Sequence, residues 1–196
     1  LFRPQAADRL GPAPLLLNVA MTGPASRLLA DPRRLIALIG LASLALIGGA
    51  WFFELVLHLR PCKLCLEQRA PHYAVIGLTT LALLFARSRR LQIAALIILA
   101  LLMAWSTGLG VYHSGVEWGV FAGPNDCGGT PAPAAAGVQD LMKQLQTTRI
   151  VSCTEAAWRF LGLSLAGWNA LASLGLLIAA LLGLKSSLRA AGGSPA

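Results

Sequence analysis

Four stretches of this chain run without a charged side chain: residues 35–53, 70–86, 91–111 and 161–184. Each approaches or exceeds the roughly 20 residues needed to cross about 30 Å of hydrocarbon. Runs of that length leave no water-facing stripe, so a soluble core built from amphipathic elements is excluded. In lipid, every backbone N–H and C=O must be satisfied within its own segment, and the ten-residue alternation of a membrane barrel is missing. The runs therefore predict helices, and the expected fold is an all-α membrane protein, a four-helix transmembrane bundle. The second run, with Pro71 and His72 near its start, has the least defined boundary. Composition agrees, because 12% of the 196 residues are charged against about 25% in an ordinary soluble domain.

The net charge of +8 raises nucleic acid as a partner, but the bases sit at the ends of the apolar runs. Arg27, Arg33 and Arg34 precede the first, Arg87, Arg89 and Arg90 separate the second from the third, and Lys185 and Arg189 follow the last. Such flanking charge orients helices, so the expected partner is the lipid bilayer and not nucleic acid. An even number of spans puts both termini on one side. That side carries eight Lys and Arg from Arg27 onward, against six on the other: Arg60, Lys63, Arg69, Lys143, Arg149 and Arg159. The positive-inside rule then predicts cytoplasmic termini in a bacterial inner membrane. The expected organisation is a cytoplasmic segment 1–34, a four-span domain 35–184 with periplasmic loops at about 58–69 and 112–160, and a cytoplasmic tail 185–196. Met21, followed closely by basic residues, reads as the natural start, with residues 1–20 not native and the first span kept as an anchor.

All four cysteines fall on the opposite face from the termini: Cys62 and Cys65 between spans one and two, Cys127 and Cys153 between spans three and four. In an oxidising periplasm, disulfides form and persist. Cys62-Lys63-Leu64-Cys65 suits a redox pair, because two intervening residues close a small, reducible ring and such motifs depress one thiol pKa. The pair lies where the second helix begins, and a helix N-terminus favours a thiolate. Arg69 is four residues beyond Cys65, on the same helical face, and can stabilise either a thiolate or an anionic acceptor. A zinc site built from cysteines would want two compact pairs, whereas 25 residues separate Cys127 from Cys153, so no metal is expected. Structural disulfides fit less well than a relay, since a Cys-x-x-Cys ring closes too short a loop to be a useful staple.

Gly123-Pro124-Asn125-Asp126-Cys127-Gly128-Gly129 reads as turns, which puts Cys127 on an accessible loop where another protein's thiol can attack it. Val138, Leu141, Met142 and Leu145 then follow helical spacing, so 134–148 predicts a short amphipathic helix in this second periplasmic loop. It lies either on the membrane surface or against the span ends. Glu54 either tunes a proton path or reaches water at the interface. His58 and His72 read as interfacial packing residues, and Trp51, Trp105, Trp118, Trp158 and Trp168 as interfacial belts. Glu117, one turn beyond His113, either orients that imidazole or is solvated loop charge, the second being the plainer reading.

The stretch Arg60-Pro61-Cys62-Lys63-Leu64-Cys65-Leu66-Glu67-Gln68-Arg69 resembles the signature of the disulfide bond formation protein B family. Cys153-Thr154-Glu155-Ala156-Ala157-Trp158-Arg159-Phe160-Leu161-Gly162-Leu163-Ser164 resembles the lead into that family's fourth span, and Tyr112-His113-Ser114-Gly115-Val116-Glu117-Trp118 the exit from its third. The likeness runs from about residue 35 to 184. It implies an enzyme, a quinone-dependent protein-disulfide oxidoreductase that reoxidises a periplasmic DsbA-type thiol oxidase and passes the electrons to a membrane quinone, ubiquinone ahead of menaquinone. By position, it implies that Cys127 forms the mixed disulfide with the partner, that Cys153 is its disulfide mate, and that Cys62 and Cys65 reoxidise that pair. Cys65 then delivers electrons to the quinone, with Arg69 and His113 at the quinone site. A DsbA-type oxidase sits at about −120 mV, so a stronger final acceptor than a protein dithiol is needed. The sequence has no Cys-x-x-Cys-His haem motif and no plausible iron-sulfur set. Two other readings stay open. A vitamin K epoxide reductase-like enzyme also joins Cys-x-x-Cys to quinone, but it places the motif late in its bundle. A non-enzymatic four-span scaffold would hold the same cysteines as staples.

Overall fold

The computed structural model describes residues 31–124, 137–139 and 152–192. Four long helices account for most of them: α1 Pro32–Leu55, α2 Lys63–Phe85, α3 Arg89–Glu117 and α4 Leu165–Gly192. A two-stranded antiparallel ladder, β1 Arg159–Phe160 with β2 Leu163–Ser164, leads into α4. Helix α1 packs on α2, α2 on α3, α3 on α4, and α4 closes back on α1. The up-and-down order puts the links carrying Cys62 and Cys153 at one end of the bundle and the Arg33 and Arg89 side chains at the other.

The helices begin where the local chemistry allows. Asp31 caps α1, accepting from the Arg33 amide at 3.0 Å, and Pro32 takes a first-turn position where its missing N–H costs nothing. Ser88 caps α3 through the Leu91 amide. At the arginine-bearing end, Arg33 donates to the Leu83 carbonyl at 2.8 Å and Arg89 to the Ser187 carbonyl at 3.3 Å, satisfying acceptors near the last turns of α2 and α4. Leu35, Ile36, Ile39, Val75, Leu96, Leu99, Met103 and Ala180 form the buried core, while Leu41, Leu44, Leu81, Leu84 and Leu101 face outward. An apolar rim around an apolar core is the distribution a lipid solvent permits.

Three of these helices, α1, α3 and α4, are long and apolar enough to cross a membrane. Helix α2 is as long as α1 but falls short in apolarity, because it starts at Lys63 and carries Glu67, Gln68, Arg69 and His72 before its apolar stretch. Helix α3 continues through Tyr112 to Glu117, past the charge-free run, because His113, Ser114, Gly115 and Val116 are buried. Residues 161–164 are not the start of the last helix. Leu161 and Gly162, at φ 51° and 83°, turn the chain between β1 and β2, the left-handed pair that a tight two-residue hairpin requires. Close approach of α3 and α4 rests on Gly110, where a Cβ would lie 2.9 Å from the Ala170 backbone. Ser106 and Gly110, four apart, form the small-residue seam that lets membrane helices meet. Of the expected amphipathic helix 134–148, all but residues 137–139 lies outside the described residues, as does Cys127.

Candidate active site

The site grows from the first turn of α2. The first four amides of a helix have no intrahelical partner, and here sulfurs take three of them. Cys62 is the N-cap and its Sγ accepts from the Cys65 amide at 3.3 Å, while the amides of Lys63 and Leu64 hydrogen-bond the Cys153 sulfur. The positive end of α2 is thus spent on two sulfurs from different links, a placement that favours negative charge on either.

Cys62 and Cys65 are thiols with their sulfurs 2.9 Å apart. The Cys62 sulfur, the Cys153 sulfur and a ring nitrogen of His113 also lie within 4.8 Å of one another. Cys62 is therefore close to both Cys65 and Cys153. The two thiols of the motif differ sharply. Cys62 is pushed up to about 12, first by its hydrogen bond to Cys65 and then by burial. Cys65, in the first turn of α2 and ahead of the apolar stretch from Ala70, is held below the ordinary thiol range, chiefly because it receives that hydrogen bond. Burial raises the Cys153 thiol. The pair thus keeps its proton on Cys62 and its charge on Cys65.

Cys65 opens onto a cavity of about 250 Å³ whose wall includes Ile47, Phe53, Leu165, Trp168, Gln68, Arg69, His72, His113 and Asn169. Arg69 is nearly buried, pairs with Glu54 at 2.6 Å, and sits 5.5 Å from the centre of the Trp51 ring. Glu54, left open by the sequence between a proton path and water, is the counter-ion of Arg69. A smaller cavity of about 20 Å³ adjoins, bounded by Cys62, Cys65, His113 and Glu117. Glu117 is not solvated loop charge: its side chain is 4% exposed and one oxygen lies 3.8 Å from His113 Nε2.

A chain of polar side chains links this site to the bundle interior. Gln68 hydrogen-bonds His113 Nδ1, Asn169 Nδ2 donates to Gln68 Oε1 at 2.8 Å, and His72 Nε2 meets Asn169 Oδ1 at 2.9 Å. Ser43 and Ser106 complete the shell of His72 at 3.3 and 3.2 Å, and Ser173 binds Ser106 at 2.8 Å. His72, expected at the interface, is instead 2% exposed. With Gln68 donating to Nδ1, the proton of a neutral His113 resides on Nε2, which is 3.6 Å from the Cys62 sulfur. Sequence reasoning missed Gln68, Asn169 and Ser106. The available signal was polarity out of place, for Asn169 is the one carboxamide in the charge-free run 161–184.

The structure thus joins five of the six sequence-predicted site residues, Cys62, Cys65, Arg69, His113 and Cys153, in one cluster. Comparison with known proteins gives the family. The family model of disulfide bond formation protein DsbB matches residues 32–183. A protein of Verminephrobacter eiseniae named disulfide bond formation protein B is 34% identical over 77% of this chain and 86% of its own length. A disulfide bond formation protein B 1 of Pseudomonas aeruginosa is 32% identical over 74% of this chain and 89% of its own. An uncharacterised protein of Rickettsia prowazekii is 31% identical over 69% and 78%. No solved structure matches.

Proposed function

The chain belongs to the disulfide bond formation protein DsbB family and is a multi-pass membrane protein, and from that premise we propose that it reoxidises a periplasmic DsbA-type dithiol oxidase and passes the electrons to a membrane quinone. The observation that carries this reading is the proximity of Cys62 to both the Cys153 sulfur and Cys65, with Cys65 opening onto the apolar cavity beside Arg69. The four-span arrangement, with α2 as the fourth span, cysteines periplasmic and termini cytoplasmic, belongs to the same proposal.

The exchange steps balance with cysteines alone. A partner thiolate attacks Cys127 of a Cys127–Cys153 disulfide, and the partner's second thiol resolves the mixed disulfide, leaving the partner oxidised and Cys127 and Cys153 reduced. The Cys153 thiolate then attacks Cys62 of a Cys62–Cys65 disulfide and expels Cys65 as the thiolate. Attack of Cys127 on Cys153 restores the first disulfide and frees Cys62. The low proton affinity of Cys65 makes it the better leaving group, while the Lys63 and Leu64 amides offset part of the burial that raises the Cys153 thiol.

The cavity suits a quinone by its chemistry. Its wall is largely aliphatic and aromatic, while Arg69, Gln68 and His113 supply N–H groups for carbonyl oxygens. A quinone bound there would take two electrons and two protons from the Cys62 and Cys65 dithiol and leave as quinol, with the motif disulfide restored. Cys65 meets that acceptor as an anion, its own proton having passed to solvent and reaching the quinol from there. Arg69 holds positive charge at the wall, and the His113 Nε2–H lies beside the Cys62 sulfur, where it can donate to the thiolate left when Cys62 gives up the other proton. Purified protein supplied with a reduced DsbA-type partner and ubiquinone-1 should reduce the quinone, and Cys65→Ser should abolish this. Full quinone reduction by Cys65→Ser would overturn the assignment.

A further inference from the structure

The small cavity beside Cys62 has a composition that electron transfer alone does not explain. Cys62, Cys153 and His113 are all buried, and their ligating atoms lie within 4.8 Å of one another. The separation between Cys62 Sγ and His113 Nε2 is 3.6 Å. Zinc bonds of about 2.3 Å to sulfur and about 2.0–2.1 Å to nitrogen, at a tetrahedral angle, require nearly that same edge, about 3.6 Å. Glu117 stands just outside this cluster and would swing in as the fourth group: one carboxylate oxygen is 3.8 Å from His113 Nε2, and the other is buried with no hydrogen-bond partner among the described residues. An unpartnered buried carboxylate oxygen is costly, and Glu117 lines, with Cys62 and His113 but without Cys153, a space of about 20 Å³, the size of a single ion or water.

We propose that in the reduced protein Cys62, Cys153, His113 and Glu117 bind one borderline-soft divalent metal ion of the zinc type. Two thiolates, one neutral imidazole and one carboxylate make a donor set that zinc accepts in tetrahedral form, and that calcium and magnesium, which take oxygen, do not. Binding releases the two thiol protons to solvent. Three negative ligands on a doubly positive ion leave one net negative charge, which Arg60 on the cavity wall offsets and Glu155, on the same wall, opposes. The α2 amides already directed at both sulfurs stabilise the thiolates the ion needs.

A second layer of support follows from the polar chain. A metal-ligating histidine donates its other ring N–H to an acceptor. With Nε2 on the metal, the His113 proton moves to Nδ1, and a half-turn of the Gln68 carboxamide presents its oxygen there. Asn169, turned likewise, then accepts from Gln68 and donates to His72. The chain stays satisfied in either sense, so the site can change between metal ligand and proton carrier without orphaning a buried group.

The site exists only when both sulfurs are free, so closing a disulfide at Cys62 or Cys153 expels the ion. Occupancy would therefore hold the reduced protein out of exchange, a consequence that rests on the proposed electron transfer. Binding itself does not. The test is titration of the full chain, reduced with a phosphine that does not chelate, with Co²⁺ and then Zn²⁺, with no quinone or partner present. The expected result is one ion per chain, with sulfur-to-cobalt charge-transfer bands and tetrahedral ligand-field bands that zinc abolishes. Oxidised protein should bind none. Cys153→Ser should lose the site, Glu117→Gln should weaken it at least about tenfold, and Cys65→Ser should keep it, which also reports that the bundle folds. Absence of binding, equal binding by oxidised protein, full affinity in Glu117→Gln, or dependence on Cys65 in place of Cys153 would each overturn the proposal. Zinc inhibition of quinone reduction, reversed by a chelator, is read separately, so failure of the electron-transfer reading would leave the titration unchanged.

Discussion

Glu54→Gln isolates what the ion pair does for the large cavity. Arg69 Nη1 lies 2.6 Å from Glu54 Oε2, with side-chain exposures of 11% and 27%, and the guanidinium sits 5.5 Å from the Trp51 ring centre. The contact is an ion pair without hydrogen-bond geometry at Oε2, and losing one partner of such a pair costs from under about 1 kcal/mol at an exposed site to about 3–5 kcal/mol at a buried one. Shielding of Arg69 argues for the upper part of that range, and the wetter Glu54 for the lower. Glutamine keeps the size of the side chain, so the cavity persists while the guanidinium loses its anchor. At about 1.4 kcal/mol per tenfold, full loss of positioning weakens quinone binding by about 10- to 100-fold. Initial rates of quinone reduction should therefore show KM rising within that window while kcat changes far less, because the cysteines are untouched. Arg69→Gln should cost much less in the Glu54→Gln background than in the native chain, since the two act as a unit. An unchanged KM, or strictly additive effects of the two substitutions, would refute the idea that Glu54 acts through Arg69.

The other expectations concern the thiols and the packing. Because the Cys65 pKa is lowered and that of Cys62 is raised to about 12, the thiolate fraction of Cys65 builds up at lower pH, and alkylation of the reduced protein should reach Cys65 before Cys62 at every pH up to about 10; mass spectrometry showing Cys62 labelled ahead of Cys65 would contradict the assignment of charge. Gly110→Val should lower the melting temperature by overpacking α3 against Ala170, a cost of about 1–3 kcal/mol, whereas Gly48→Ala, with nothing within 4 Å, should not. Leu161→Asn should stabilise the hairpin by up to about 1 kcal/mol, since Leu161 holds φ 51° while 78% exposed and so gives up strain without losing packing; a lower melting temperature would show that its side chain matters.

The sequence was most informative where lipid is the solvent and least where side chains meet across helices. Charge-free runs identified the interior of each of the four long helices because the bilayer punishes charge wherever it falls. They misjudged helix ends, since Tyr112 to Glu117 stay helical by burying His113 and Glu117 against other elements. Pairs on one helix were legible from spacing, as with Cys65 and Arg69, which share the cavity wall. Glu117 shows the limit: its spacing from His113 was visible, but its burial depends on chain from other parts of the sequence. His72 could not be placed for the same reason, because its partners Ser43, Ser106 and Asn169 come from three other helices.

What unites the site is the register of α2. Its first-turn amides hold the Cys62 and Cys153 sulfurs, its next turn sends Gln68 to His113 and Arg69 to Glu54, and its third turn sends His72 to Asn169. Cys65, Gln68, Arg69 and His72 fall at positions i, i+3, i+4 and i+7, a single face of the helix. Each residue advances that face by about 100°, so one residue inserted after Cys65 would turn the arginine and both polar partners away from the cavity while leaving the cysteine pair intact. The lower apolarity of α2 follows from the same demand. A helix that spends its inward face on thiol, amide, guanidinium and imidazole has fewer positions left for aliphatic side chains, and it keeps its place because α1, α3 and α4 satisfy those groups.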